Sequence, residues 1–145
     1  MSRPQHTPFN AKAKSSDRGM RSGPVVNIKV GDSVIPVLTS PIDGDPTVDG
    51  TDNFGATTTK ATGRFYHAVT ADAGSLTKEE VVSAVQTGAS AILASGSMAV
   101  TASGALVNAT AITGLTTATN YELFYVHVDV AGNMSAVVTV ALLTL

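Results

Sequence analysis

The segment from residue 114 to residue 135 constrains the fold more than any other part of the chain. It begins with Gly114 and Leu115, continues through a short polar bend, and enters at Tyr121 a strand in which the side chains alternate with period two. Residues 131–133, Ala-Gly-Asn, are typical of a turn into a last strand. Turn signals also recur upstream at intervals of about eight to ten residues, so the pattern predicts an all-β protein of short strands.

This segment resembles the end of fibronectin type III and related immunoglobulin-like sandwiches. The resemblance implies that Leu115 fills the core beneath the bend and that the Tyr121 hydroxyl bonds back to the backbone, an arrangement called a tyrosine corner. We therefore treat Leu115 and Tyr121 as the fold-defining residues. The resemblance covers about residues 56–145 and implies an immunoglobulin-like sandwich of about seven to nine strands with one short helix and an extended N-terminal arm. It departs from the type III pattern because the chain has no Trp for the strands at residues 56–70.

The composition fits one globular domain. Of the 145 residues, 43% are hydrophobic and 14% are charged, which excludes an intrinsically disordered protein. No apolar run approaches the roughly 18 residues of a membrane-spanning helix, and the N-terminus lacks the apolar stretch of a signal peptide. The absence of Cys excludes disulfides and thiolate metal sites. We expect a β-sandwich domain at residues 25–145, an arm at residues 1–24 and no membrane partner.

The arm carries a charge opposite to that of the rest of the chain. It has five basic residues and one acidic residue, a net charge of +4, whereas the remainder has four basic and ten acidic residues, a net charge of −6. Ordering about 24 residues costs on the order of 25 to 50 kcal/mol, so the arm is either a solvated tail or is ordered by a surface that offsets this cost. The residues predicted to dock on such a surface are Arg3, Phe9, Lys12, Lys14, Arg18 and Arg21.

Other patterns predict strands and turns along the chain. Residues 26–30 and 33–38 alternate like two strands joined by a Gly-Asp turn, and Pro36 favours a sheet edge for the second strand. Residues 95–97, Ser-Gly-Ser, are expected to form a turn before a strand that starts at Met98.

Residues 41–55 contain four Asp residues among Gly and Pro and are expected to form a loop. Hard cations such as calcium collect oxygen ligands from loops of this composition. The spacing does not match the calcium-loop pattern, however, and the downstream bidentate Glu is missing. Turn formation by Asp and Gly explains the composition better, so no metal site is expected.

The sequence predicts one helix, at residues 76–88. Thr77 and Glu80 match a capping box, Leu76 and Val81 stand at the positions of a hydrophobic staple, and the closing Gly is a suitable stop. In the bacterial and phage domains that the sequence resembles, such a helix crosses from one sheet to the other. The residues expected to face the core are Val81, Ala84 and Val85.

The strand after the corner is apolar on both faces. By analogy with the family, one face points into the core; its residues are Tyr121, Leu123, Tyr125 and His127. Near-continuous apolar strands indicate cover on both faces. Either the arm or the helix covers the outer face, or exposed Val residues are tolerated there, or the face is an interface in a homo-oligomer. The candidate interface residues are Phe124, Val126, Val128 and Val130.

We predict that the chain is not an enzyme. It has no nucleophile elbow, no phosphate-binding Gly loop and no paired-carboxylate motif, so no catalytic residue, no cofactor and no small-molecule partner are expected. His6, His67 and His127 have no neighbour at ligand spacing, and the last two are expected to be strand residues with satisfied ring nitrogens. The basic arm favours phosphate contacts, but no motif that reads nucleic acid accompanies it and the acidic body opposes such binding. An acidic protein surface is the expected target.

The strands rich in Ala, Thr, Gly and Ser, the turn at residues 131–135 and the lack of Cys resemble immunoglobulin-like domains of bacteriophage virions and bacterial surface proteins. The resemblance implies a non-enzymatic virion protein that contacts other virion proteins. A capsid decoration or cement protein that docks through its arm is favoured, with a neck or tail appendage next. The alternative is an adhesive module at the bacterial cell surface that recognises carbohydrate or a host surface. The loops proposed for adhesion, at residues 43–54 and 95–104, offer only Phe54 as an aromatic side chain.

Overall fold

Within the part of the chain that the structure describes, the regular structure consists of short antiparallel strands and a single short helix. The computed structural model describes residues 31–85 and 87–145. The arm and the strand predicted at residues 26–30 lie outside these residues. In chain order the described elements are β1 (Leu38–Ile42), β2 (Asp45–Thr47), β3 (Gly50–Asp52), β4 (Phe54–Thr58), β5 (Gly63–Ala71), α1 (Lys78–Ser83), β6 (Ala94–Val100), β7 (Gly104–Asn108), β8 (Asn120–Val128) and β9 (Val138–Leu143).

Two sheets form a sandwich. The first has the strand order β1-β4-β7 and the second has the order β6-β5-β8-β9, while β2 and β3 form a separate hairpin. One hydrophobic core lies between the two sheets. It takes Phe54 and Leu106 from the first sheet and Phe65, Leu123 and Tyr125 from the second. The prediction of an all-β sandwich with one short helix is therefore confirmed.

Polar side chains of β8 connect the two sheets through the core. The Tyr125 hydroxyl donates to the carbonyl oxygen of Ile42 on β1 at 2.5 Å. The His127 Nδ1 lies 2.7 Å from the hydroxyl of Thr58 on β4, and its Nε2 donates to the Thr62 carbonyl oxygen at 3.0 Å. Because buried polar groups are costly without partners, these hydrogen bonds favour one spacing of the sheets.

The tyrosine corner is present as predicted. Leu115 is buried in the core, and the Tyr121 hydroxyl accepts a hydrogen bond from the Thr116 backbone N–H at 2.8 Å. Tyr121 stands at the start of β8, so the corner sets where this central strand begins. The next inward positions of β8 are buried, also as predicted: Leu123, Tyr125 and His127.

The strand predicted at residues 33–38 is wrong, because regular pairing begins only at Leu38. Pro36 has no backbone N–H to donate to a ladder. Val37 N donates to the side-chain oxygen of Thr59 at 3.0 Å, while Thr59 N donates back to Val37 O at 3.1 Å. The strand that follows, β1, does lie at the edge of its sheet.

Residues 41–55 are not the loop that their composition predicts, because they contain the β2–β3 hairpin. Thr51 of this hairpin is buried and exchanges backbone hydrogen bonds of 3.1 and 2.8 Å with Ile112. Gly50 permits this close approach, since a Cβ there would lie 1.7 Å from the Ile112 carbonyl oxygen. A contact with a distant part of the chain thus orders a segment rich in turn-forming residues.

Residues 95–97 lie within β6 and do not form the predicted turn. The strand pairs with β5 without interruption, and Gly96 stands opposite His67. A Cβ at Gly96 would lie 2.7 Å from the Cε1 atom of His67. The glycine therefore makes room for a buried ring and does not mark a turn.

The predicted capping box at the start of α1 is confirmed. Glu80 N donates to the Thr77 hydroxyl at 3.2 Å, and Thr77 N donates to a carboxylate oxygen of Glu80 at 2.9 Å. Leu76 and Val81, at the staple positions, belong to one buried cluster. The start of the helix follows from contacts within a few residues of sequence.

The predicted end and course of the helix are wrong. The helix ends at Ser83, because Ala84 adopts a left-handed conformation with φ 55°. As a result, Ala84 and Val85 are exposed and do not face the core. The helix joins β5 to β6, which are neighbours in one sheet, so it does not cross between the sheets. It lies instead on the outer face of the four-stranded sheet, which is apolar and needs cover.

Candidate functional site

Residues 31–37, which we call the docking segment, are held by polar contacts near both ends. Near the start, the Asp32 carboxylate pairs with the Lys60 ammonium and accepts from Val34 N at 2.9 Å. At the end, Val37 is joined to Thr59 by the two hydrogen bonds described above. These contacts tie the segment to the loop that follows β4 and give it a defined conformation.

The turn after β8 completes this anchor. The Asp129 carboxylate accepts from the backbone N–H groups of Ala131 and Asn133, both at 2.9 Å. The Asn133 side chain bridges the turn to the docking segment, since its amide donates to Asp129 at 3.0 Å and to the Asp32 carbonyl oxygen at 2.7 Å. The hydrogen bond from the Asn133 side chain lowers the pKa of Asp129, and the hydrogen bond from Lys60 lowers the pKa of Asp32. Both carboxylates are therefore ionised acceptors that hold the turn and the segment together.

The docking segment presents apolar side chains to solvent. Val34, Ile35 and Val37 are 64%, 54% and 47% exposed, while Pro36 between them is buried. Apolar groups gathered on an ordered stretch of surface are a feature of protein interaction sites. Because the backbone is already anchored, a partner could bury these side chains at a small cost in conformational entropy. The segment is thus suited to protein docking.

The predicted arm residues lie outside the described part of the chain: Arg3, Phe9, Lys12, Lys14, Arg18 and Arg21. Docking through the arm therefore stays a prediction. In sequence, residues 1–30 lead directly into the docking segment. The cations of the arm and the exposed apolar side chains of the docking segment are consecutive parts of one N-terminal region.

The candidate interface on the outer face of β8 is wrong for its first two residues. Phe124 and Val126 are buried in a cluster with Val81 of α1. The sequence left open whether the arm, the helix or another subunit covers this face. The structure shows that the helix covers these two side chains. Of the two remaining candidates, Val128 is the last residue of β8 and is half-buried, and Val130 lies in the turn beyond the strand and is 80% exposed. No continuous interface of these four residues is available.

Glu80 fixes the helix over this face. Besides Thr77, its carboxylate accepts from the backbone N–H and hydroxyl of Thr87, at 2.8 and 2.7 Å, and from Gly88 N at 2.8 Å. The hydrogen bond from the Thr77 backbone, followed by those from Thr87 and Gly88, holds the pKa of Glu80 well below its usual range. The carboxylate thereby joins the start of the helix to the segment that leaves it.

The two described histidines differ in how their ring nitrogens are satisfied. Both nitrogens of His127 have partners, as predicted. For His67 the prediction is wrong, because neither ring nitrogen has a hydrogen-bond partner among the described residues and Nδ1 is buried. Burial lowers the pKa of His67 to about 4, so the ring is neutral at neutral pH. His6 lies outside the described residues.

The Asp-rich segment uses its carboxylates in local hydrogen bonds. Asp45 and Asp52 accept from the Asn53 side chain at 2.9 and 3.2 Å, and Asp49 accepts from Gly114 N at 3.3 Å. Within residues 31–85 and 87–145, no three His, Asp or Glu side chains are grouped so that they could hold a metal ion.

Phe54, the aromatic side chain of the loops considered for adhesion, is not available to a ligand. It is the first residue of β4, is fully buried, and packs edge-on against His67 and parallel to Tyr125. Its ring faces inward because it is in phase with the core residues of the strand. The adhesive alternative therefore loses the aromatic contact on which it depended.

Sequence reasoning missed the docking segment, although one signal was present. Residues 33–38 carry apolar side chains in both phases of the predicted strand. A strand with one buried face can bury only one of these phases, so exposure of the other was to be expected. Which of these side chains are exposed depends on the contacts of Pro36 and Thr59. A period-two pattern in the sequence does not predict those contacts.

No helix in the described part of the chain is long and apolar enough to cross a membrane. Comparisons with protein-family models, with curated proteins and with solved structures found no match. The functional proposal therefore depends on the residues and geometry of this chain.

Proposed function

We propose that this chain is a non-enzymatic structural protein of a bacteriophage virion, a capsid decoration protein that docks through its N-terminal arm and docking segment. The observation that carries the proposal is the exposure of Val34, Ile35 and Val37 on an anchored backbone that follows the basic arm in sequence, six residues after its end. Exposed apolar side chains that follow a basic segment in sequence fit a protein surface that offers both apolar contact area and acidic groups. A neck or tail position would use the same interaction.

The strand order supports an immunoglobulin-like, fibronectin type III-like assignment. In the immunoglobulin arrangement, strands A, B and E share one sheet, and C, F and G share the other. When the β2–β3 hairpin is set aside, β1, β4 and β7 correspond in chain order to A, B and E, and β5, β8 and β9 correspond to C, F and G. The tyrosine corner then stands at the start of the F strand, where the family has it. Domains of this kind are the ones that the sequence resembles in virions.

The uses of the ionisable groups support a structural role. Glu80 joins the two ends of the helical segment, Asp129 holds the turn after β8, and Asp32 anchors the docking segment. Their pKa values are lowered by hydrogen bonds that belong to these structural contacts. Shifted pKa values also arise in structural networks, and the partners found here account for each of these three.

The proposed partners are other virion proteins. A homo-oligomer formed through the outer face of β8 is not proposed, because α1 covers the centre of that face. The docking segment instead offers apolar contact area, and the arm offers five cations. Charge attraction would speed the encounter, and apolar burial would slow dissociation.

Incorporation into particles tests the proposal. The gene in its natural source is replaced by each of two full-length variants, the double substitution Val34→Ser with Ile35→Ser, and an arm variant with all five basic residues changed to Gln. Particles are purified on density gradients and the chain is quantified by mass spectrometry. Each variant is expected to lower occupancy by about tenfold or more, which corresponds to about 1.4 kcal/mol of docking free energy.

Matched controls separate docking from general surface effects. Val107→Ser with Leu143→Ser removes two other exposed apolar side chains, 49% and 53% exposed, from β7 and β9. Lys78→Gln removes a cation from the sandwich domain. The controls are expected to incorporate like the unmodified chain. If the docking variants incorporate as well as the controls, docking through the N-terminal region is wrong.

A further inference from the structure

A cleft opens between the two sheets on the side where β6 and β7 are the edge strands. Its volume is about 350 Å³, at the lower end of the range for small-molecule sites. One wall is the first half of β6, from Ala94 to Ser97, and the other is the end of β7 with residues 110–113. The docking segment leads into β1, which is at the opposite edge of the three-stranded sheet from β7.

The walls of the cleft are polar and uncharged. Hydroxyl groups come from Thr110 and Thr113, and Asn108 supplies an amide. Ser95 and Ser97 stand opposite Ala68 and Tyr66, which pack toward α1 on the outer face, so these two serines line the cleft with their backbone. Among the described residues, none that lines the cleft is Lys, Arg, Asp or Glu. An ionised ligand would lose its hydration here without gaining a counter-charge, so the lining favours a neutral ligand.

His67 supplies an unused hydrogen-bonding group at the cleft. Its side chain lines the cleft, only 6% of the residue is exposed, and neither ring nitrogen is bonded to another described residue. Its neutral ring offers one donor and one acceptor. A buried polar group without a partner is destabilising, so such a group needs an explanation.

Gly96 brings the ring close to the cleft wall. A Cβ at this position would lie 2.7 Å from Cε1 and 3.0 Å from Nε2 of His67, so any other residue would press on this edge of the ring. Gly96 itself lines the cleft. The ring edge that carries Nε2 therefore lies against a part of the wall that has no side chain.

We propose that this cleft binds a neutral, hydroxyl-rich small molecule of about the size of one sugar ring, with His67 and the threonine hydroxyls as its hydrogen-bond partners. Hydroxyl, amide and neutral imidazole groups each pair with the hydroxyls of such a ligand. Ala94 and Ala111 provide small apolar contacts for its carbon atoms. No aromatic ring other than that of His67 lines the cleft to stack against a sugar, so the expected dissociation constant is in the millimolar range, about 1 to 10 mM.

Titration of the full-length, ¹⁵N-labelled protein tests this site. The probes are D-glucose, D-galactose and N-acetyl-D-glucosamine, each raised to about 100 mM, which is well above a millimolar dissociation constant. D-glucuronate and D-glucosamine serve as charged comparators. At least one neutral sugar is expected to give saturable shifts at the amides of Ser95, Gly96, Thr110 and Thr113, and the charged sugars are expected to bind at least tenfold more weakly.

Variants connect the binding to named groups. Thr110→Val and Thr113→Val are isosteric changes at exposed residues, and each is expected to weaken binding about three- to tenfold, the equivalent of one hydrogen bond. The matched control is Thr139→Val on β9. This strand is at the opposite edge of the four-stranded sheet from β6, so the variant should bind like the unmodified protein. His67→Phe keeps an aromatic ring beside Phe54, removes both nitrogens, and should abolish saturable binding.

Three results would overturn the proposal. These are the absence of saturable shifts with all three neutral sugars, equal or tighter binding of a charged sugar, and equal binding by the cleft variants and by Thr139→Val. The threonine variants keep the test decisive even if His67→Phe fails to fold. Docking of the N-terminal region uses other residues. A negative result at this cleft therefore does not bear on the proposed virion role, and failure of that role does not bear on this cleft.

Discussion

The Tyr121 hydroxyl accepts a hydrogen bond of 2.8 Å from the backbone N–H of Thr116, and this contact closes the corner that leads into β8. Tyr121→Phe removes the hydroxyl oxygen, so the Thr116 N–H loses its hydrogen-bond acceptor. We expect the free energy of unfolding to fall by about 1 kcal/mol, as for a typical buried hydrogen bond. Urea unfolding measures the loss. Tyr66→Phe, at a half-buried tyrosine of β5, is the control, and an equal effect of both substitutions would show that the corner bond adds nothing.

A second prediction concerns Glu80, which joins the start of α1 to the segment that leaves the helix. Glu80→Gln keeps the shape of the side chain but replaces a charged acceptor with a neutral amide, so the hydrogen bonds from Thr77 and Thr87 weaken. Hydrogen exchange at the amides of Thr77 and Thr87 is expected to become faster. Glu79→Gln, at the neighbouring exposed carboxylate, should leave both amides unchanged. Unchanged exchange in the Glu80 variant would contradict the structural role of this carboxylate.

The stability of the protein is expected to depend on pH through His67. Its pKa is about 4 in the folded chain and 6.5 in the absence of burial, so between these values the unfolded chain binds the proton and the folded chain does not. The free energy of unfolding therefore falls as the pH is lowered from about 6.5 toward 4, by a total on the order of 3 kcal/mol.

Unfolding measured at several pH values between these limits checks this expectation. The variant His67→Phe has no proton to bind at this position, so its curve should be flatter from pH 6.5 down to about 4.5. Below that range, protonation of Glu80 is expected to destabilise both proteins, because hydrogen bonds lower the pKa of this carboxyl in the folded chain. Parallel curves for the two proteins above pH 4.5 would contradict the burial of a neutral His67.

A fourth prediction tests the cover over the outer face of β8. Val126 is fully buried in the cluster that α1 completes, whereas Val130 is 80% exposed. Val126→Ala is expected to lower the free energy of unfolding by about 2 kcal/mol, because it removes buried methyl groups and leaves a cavity. Val130→Ala should change it by less than about 0.5 kcal/mol. Similar small effects in chemical denaturation would mean that the helix does not pack on this face.

The features predicted correctly from the sequence depend on contacts between near neighbours in the chain. The Tyr121 corner and the Thr77–Glu80 capping box each involve residues within a few positions of each other. At these positions, contacts between near neighbours in sequence were enough to predict the structure. The inward phase of β8 came from the family resemblance, which places Tyr121 in the core, because the strand itself is apolar in both phases.

The errors occur where a distant residue decides the local structure. Thr51 is drawn into a hairpin by Ile112, and Gly96 lies within a strand because His67 needs the space. The end of the helix at Ser83 is a local exception, because Ala84 takes a left-handed conformation there and Thr87 donates back to the Glu80 carboxylate. None of these contacts leaves a periodic signal in the sequence.

The candidate site was predicted only in part. The opposite charges of the arm and the body are a property of composition and could be read directly. The exposure of Val34 and Ile35 could not, because it depends on how Pro36 is buried and how Thr59 fixes the backbone. The outer face of β8 was a reasonable interface on pattern alone, and only the position of α1 shows that its centre is covered.

The central claim is that this chain is a structural component of a virion, and its stoichiometry in purified particles tests that claim most directly. Particles from the natural source are washed at high salt to remove adhering protein, and the chain is quantified by mass spectrometry against the major capsid protein. We predict a fixed ratio of the two proteins from one preparation to the next, as expected for a symmetric assembly. Loss of the chain from the particle fraction on washing, or a ratio that varies between preparations, would contradict the account.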